Sequence, residues 1–102
     1  MHNFKAELFK TLSHPTRLSI LDALRGGELT VGVVQEKLEV AQSSASQHLA
    51  ALRARGLVEA RRNGTSVFYR VTDKTIWDLL DMARDIYERQ LHRDRQKFEA
   101  LR

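Results

Sequence analysis

The sequence predicts a mainly α-helical domain with one small β-hairpin, in the order helix, helix, helix, helix, strand, strand, helix. Three observations lead there. Apolar residues recur at three- and four-residue spacing in five separate stretches. Pro15, Gly26-Gly27, Gly56 and Gly64 punctuate the chain between them. One dipeptide, Asn63-Gly64, joins two strand-like runs, and Asn-Gly is a strong hairpin signal because both residues tolerate the positive φ of a type I′ turn.

The elements follow in order. Phe4, Leu8 and Leu12 are four apart and define a short amphipathic first helix. Ser13-His14-Pro15 restarts the chain, since proline suits a helix's first turn and a polar residue before it can cap. Leu18, Leu21 and Leu24 give the second helix its buried stripe, and Gly26-Gly27 stops it. Thr30 is the expected N-cap of a short third helix that buries Val31, Val34 and Leu38. After Glu39-Val40-Ala41 a fourth helix runs from about Ser43 to Arg55 and ends at Gly56. The strands are residues 57–62 and 66–71. Thr72 or Asp73 then caps a long last helix, with Ile76, Leu79, Leu80, Ala83, Ile86, Tyr87 and Leu91 along one side. Beyond Tyr87 the charge density rises and a solvated, fraying helix end is expected.

A chain of 102 residues, 42% apolar and 29% charged, is one domain's worth of ordinary globular protein, spanning residues 1–102. Its formal charge of +4 is concentrated: residues 53–71 hold five arginines against Glu59 alone, which equals the excess of the whole chain. Such a cluster favours a polyanionic partner. The absence of cysteine excludes disulfides, thiolate metal sites and thiol redox switches. The start, MHNFKAELFK, lacks a signal peptide's layout, and no apolar run approaches membrane-spanning length, so a cytoplasmic location and no membrane partner are expected.

Two short helices joined by a tight connection, the second followed by a basic hairpin, make a winged helix-turn-helix arrangement. In the fourth helix Ala45, Leu49 and Leu52 must face the core. Ser43 and Gln47 then point away, with Ser44 and Ser46 on the flanks. This face is small, uncharged and hydrogen-bonding. In a major groove glutamine can pair bidentately with adenine and serine can donate or accept, so double-stranded DNA is the expected partner. A merely solvated helix face has the same composition, although three serines at a helix start cost propensity for no packing gain. Arg53, Arg55, Arg61 and Arg62 lie nearby in sequence, where they can meet phosphates, and Asn63-Gly64-Thr65 forms the wing tip. The arginine pair also reads as a charged edge strand that resists aggregation. His48 borders the buried stripe and suits a structural or phosphate-contacting role.

The chain resembles the ArsR/SmtB-type repressors. The residues that carry the likeness are Leu12-Ser13-His14-Pro15-Thr16-Arg17-Leu18-Ser19-Ile20-Leu21, Ser44-Ala45-Ser46-Gln47-His48-Leu49-Ala50-Ala51-Leu52, Arg55-Gly56-Leu57-Val58 and Phe68-Tyr69-Arg70-Val71. The resemblance implies a homodimer built on the first and last helices, operator binding by two recognition helices, and release on effector binding. The sequence departs from the family at its metal sites. Thr30 and Gly32 stand where a cysteine pair is expected, and Asp73, Thr75, Ile86 and Arg89 stand where the last helix would supply Asp, His, His and Glu. No cofactor and no metal are expected. His2, His14 and His92 remain as scattered histidines, with no helical metal-site spacing among them.

Phe4, Leu8, Trp77, Leu80, Ile86 and Tyr87 are the candidate interface, because so small a core cannot cover the whole apolar side of the last helix. Two other function classes compete. A winged helix used as a protein-interaction module would show more exposed aromatics than this Ser/Gln face. An enzyme would need a nucleophile–base pair, a glycine-rich phosphate loop or a carboxylate dyad, none of which is present. The sequence names neither the operator nor the effector.

Overall fold

The spacing of leucine and valine decides which helix faces meet, and the computed structural model of all 102 residues shows where. The elements are α1 (His2–Leu12), α2 (Pro15–Ala23), a 3-10 turn over Leu24–Gly26, β1 (Leu29–Thr30), α3 (Val31–Leu38), α4 (Gln42–Ala54), β2 (Val58–Asn63), β3 (Ser66–Val71) and α5 (Thr75–Ala100). The core joins Leu12 of α1, Ile20 and Leu21 of α2, Leu24, Val34 of α3, Ala45, Leu49 and Leu52 of α4, Val58 of β2 and Ile76 of α5. Every helix therefore contributes its apolar stripe to one cluster, and the wing joins it through its base.

Local chemistry sets the boundaries. Thr30 Oγ1 accepts from the Val33 amide at 3.3 Å, the expected cap of α3. Of the two expected caps of α5, neither occupies the N-cap position, which is Lys74: Asp73 lies one residue earlier, its Oδ1 accepting from the Thr75 amide at 2.9 Å, while the Thr72 hydroxyl donates to the Gly56 carbonyl. Ser13 serves the helix behind it, its hydroxyl donating to the Lys10 carbonyl, and no side chain caps α2. Helices α3 and α4 end alike. In α4, Gly56 (φ 73°) turns the chain left-handed, and the Gly56 and Leu57 amides return to the Arg53 and Leu52 carbonyls. In α3 the same paired bonds run from Glu39 and Val40 to Glu36 and Gln35, but the left-handed residue is a glutamate (φ 56°).

Three features differ from the sequence-based expectation. The hairpin is part of a three-stranded antiparallel sheet in the order β1-β3-β2, with Leu29 opposite Tyr69 and Thr30 opposite Phe68. A two-residue strand is too short to show alternation, so only its pairing reveals it. The hairpin turn is centred one residue later than expected. Asn63 pairs with Ser66, Gly64 (φ 65°) and Thr65 form the loop, and neither Asn63 nor Thr65 has positive φ, the pattern of a type II′ turn. Finally, α5 stays helical to Ala100, with every residue beyond Leu80 exposed. It projects from the body and gives the molecule a longest dimension of 63 Å.

Candidate nucleic-acid interface

The inner side of α4 is fixed before its outer side can matter. Ala45, Leu49 and Leu52 are each 0% exposed, so the helix cannot rotate without uncovering all three. Ser43, Ser46 and Gln47 consequently face solvent and Ser44 lies half-buried on the flank, as the helical wheel requires. Gln42, one residue before the helix start that the sequence predicts, opens α4 and is also exposed. No side chain caps this end, so the first-turn amides remain free of protein partners.

His48 and Arg17 hold α4 on α2. Arg17 Nε donates to His48 Nδ1 at 3.1 Å and its Nη1 donates to the Thr11 carbonyl at 3.1 Å. The neutral imidazole therefore carries its proton on Nε2. Burial, then the charges of Arg17 and His14, holds the His48 pKa below its ordinary value. His48 is thus engaged in a contact within the chain. Arg17's part is not legible in local sequence, because the two residues meet only when α2 and α4 pack.

The arginines divide into two groups. Arg53 and Arg62 are exposed and have no carboxylate partner. Arg55 reaches Glu7 of α1 at 3.4 Å. Arg61 forms a forked pair with Glu28 and stacks over Phe68, 5.3 Å from the ring centroid. Strand alternation separates the neighbouring arginines. Arg61 lies opposite Phe68, on the side of the ribbon away from the core, whereas Arg62 lies opposite Val67 on the side that carries Val58 and Tyr69. The Glu28 carboxylate is held below its usual range chiefly by the Arg61 hydrogen bonds. Asn63, Gly64 and Thr65 are exposed at the wing tip.

Of the six candidate interface residues, Phe4, Ile86 and Tyr87 are exposed on α1 and α5. Leu8, Trp77 and Leu80 are half-buried against the chain's own core. Trp77 is further committed, its Nε1 donating to the Leu21 carbonyl at 2.8 Å.

Known proteins share this arrangement. A family model described as a helix-turn-helix domain matches residues 12–61, which run from the end of α1 into β2. The biofilm growth-associated repressor of Xylella fastidiosa is 40% identical over 85 residues, 83% of this chain and 75% of that protein. The transcriptional activator HlyU of Vibrio cholerae is 38% identical over 80 residues, 78% of this chain and 74% of that protein. A homodimeric winged helix-turn-helix DNA-binding domain from Mycobacterium bovis, described as a possible ArsR-family transcriptional regulator, superposes with a TM-score of 0.77 at 34% identity, covering 87% of this chain and 82% of that one. The chain belongs to the ArsR/SmtB-type family.

As an ArsR/SmtB-type protein it is a DNA-binding transcriptional regulator, not an enzyme. Residues at the family's metal positions have other work in this chain. Thr30 caps α3, and Asp73 accepts the Thr75 amide, which holds its carboxyl below the usual range. His14 lies beside His48, ring centroids 5.8 Å apart, and no group of three potential ligands converges anywhere. No helix is long and apolar enough to cross a membrane.

Proposed function

We propose that the chain is a single-domain homodimeric repressor that binds an inverted-repeat operator in double-stranded DNA and leaves it in response to a signal other than thiol chemistry. One observation carries the reading. The uncharged Ser43–Ser46–Gln47 face is exposed on a helix whose opposite side is locked in the core, and the unpaired guanidiniums of Arg53 and Arg62 stand on the same helix and on the wing beside it. Gln47 and the serines read base edges. Arg53, Arg62 and the first-turn amides of α4 grip phosphates, and the wing tip of Asn63, Gly64 and Thr65 follows the adjacent backbone. Arg55 and Arg61 contribute charge from within their ion pairs. The homodimeric relative and the exposed apolar residues of α1 and α5 support assembly as a pair. Two recognition helices then select half-sites about one helical turn apart, roughly 10 bp or a multiple.

The test is titration of labelled duplexes, recovered by genomic footprinting, at two salt concentrations. Binding at nanomolar levels with a steep loss on raising salt, and protection of an inverted repeat, is the expected result. Failure to bind any recovered duplex at low salt overturns the reading. A promoter–reporter fusion decides the sign of regulation: repression predicts higher expression when the gene is deleted, activation the reverse.

A further inference from the structure

Between the start of α5, the glycine turn after α2 and the outward side of the wing lies an open cleft of about 560 Å³ that shares only Arg61 with the proposed DNA-facing surface. Its apolar part is Leu24, Val71 and Trp77. The indole is fixed in place by its bond to the Leu21 carbonyl and by the Arg25 guanidinium, 6.0 Å from the ring centroid.

Four cations line the cleft against one carboxylate, Glu28. They are not equally engaged. Arg25 is held by Asp22 and Asp81, and Arg61 by Glu28. Arg70 uses only its Nε, on Glu59, so both terminal nitrogens are without a hydrogen bond. Lys74 has no carboxylate partner. Gly26 and Gly27 leave the mouth unobstructed, since a Cβ on either meets nothing within 4 Å. An apolar wall with a fixed indole and two unsatisfied cationic heads on its rim is a pocket for a molecule that is apolar on one side and anionic on the other.

We propose that this cleft binds a small organic anion, a carboxylate on a flat apolar body, with the body against Trp77 and the carboxylate on Lys74 and Arg70. Glu28 immediately precedes β1, and Arg61 and Arg70 lie in β2 and β3, so an anion there competes with Glu28 for Arg61, the neighbour of Arg62 on the wing. Its charge also opposes the phosphates that the wing attracts. The ligand and DNA consequently weaken each other's binding. This regulatory half rests on the DNA-binding function proposed above; binding of the anion does not.

Trp77 is the only tryptophan in the chain, so its fluorescence reports on this cleft alone. The full-length protein, without DNA, is titrated with benzoate, with its neutral analogue benzamide and with inorganic phosphate. A saturable change with benzoate and none with the other two is expected. Lys74→Ala weakens benzoate binding about tenfold, the loss of one charge-assisted hydrogen bond. The variant keeps its fold, because a cation at a helix N-terminus opposes the dipole. Gly26→Leu fills the mouth and abolishes the response. No saturable change with benzoate, an equal response to benzamide or to phosphate, or unaltered benzoate affinity in Lys74→Ala would overturn the site. In a second arm benzoate lowers operator affinity for the wild-type protein and not for Lys74→Ala. If benzoate binds and operator affinity stays the same, the regulatory half is wrong. Operator binding without benzoate judges the proposed function independently.

Discussion

In the proposed DNA complex Gln47 and Arg62 meet DNA with different chemistry, and their substitutions separate base reading from phosphate gripping. Gln47→Ala removes a bidentate donor–acceptor pair, so operator affinity falls by about 1–3 kcal/mol and base preference relaxes at one position. Arg62→Ala weakens specific and random duplexes alike and lowers the slope of log K against log salt by about one. Equal losses on all sequences for Gln47→Ala would refute its assignment. His48 gives a stability signature instead. Burial and the neighbouring charges of Arg17 and His14 depress its pKa in the folded chain, so between that value and about 6.5 the unfolded chain binds more protons. The contribution is fully present above about pH 6.5 and is lost as pH falls below it. Thermal melts between about pH 7.5 and 5.5 should show a decline that His48→Gln reduces. Glu28, Asp73 and Asp81, whose carboxyls are also depressed, lose their contributions only at lower pH, in the carboxylate range.

At the scale of elements, α3 and α4 show how one backbone solution serves different residues. Both end in paired return bonds through a left-handed residue, glycine at 56 and glutamate at 39. A left-handed L-residue costs about 1–2 kcal/mol, of which glycine's extra unfolded-state entropy returns roughly half. Glu39→Gly should therefore stabilise the chain by about 0.5–1 kcal/mol, read as a higher denaturant midpoint at constant slope. A lower midpoint would show that the Glu39 side chain has an unrecognised role. Thr30→Ala removes the cap of α3 and should cost about 1 kcal/mol. The sequence disclosed most of these elements because apolar period and punctuation are local. It placed the hairpin turn one residue early because Asn63 suits either a strand end or a turn, and pairing to Ser66 decides between them. The arginine pair at 61 and 62 was legible as charge but not as two surfaces, since Arg61's partner Glu28 is 33 residues away.

For the whole molecule the salient feature is α5, which leaves the body after Leu80 with Ile86 at 57% and Tyr87 at 63% exposure. In the proposed homodimer a second copy would lie along this apolar surface and cover it. Ile86→Glu should give a monomer in sedimentation velocity while the helical circular dichroism persists, because no core residue is touched. Operator affinity should fall with it, since one recognition helix alone grips half a site. A variant that remains dimeric would move the interface elsewhere. Trp77 and Leu80 already pack on their own core, which leaves them less side-chain surface to offer a second copy than Ile86 or Tyr87.

Local spacing was enough for the helices, the wing, the core stripe and the solvent-facing side of α4, because each follows from periodicity over a few consecutive residues. Docking of the elements set β1, the bond from Arg17 to His48, the opposite sides taken by Arg61 and Arg62, and the cleft beside Trp77. Each of these joins residues distant in sequence, and their meeting depends on how elements dock, which no local spacing encodes.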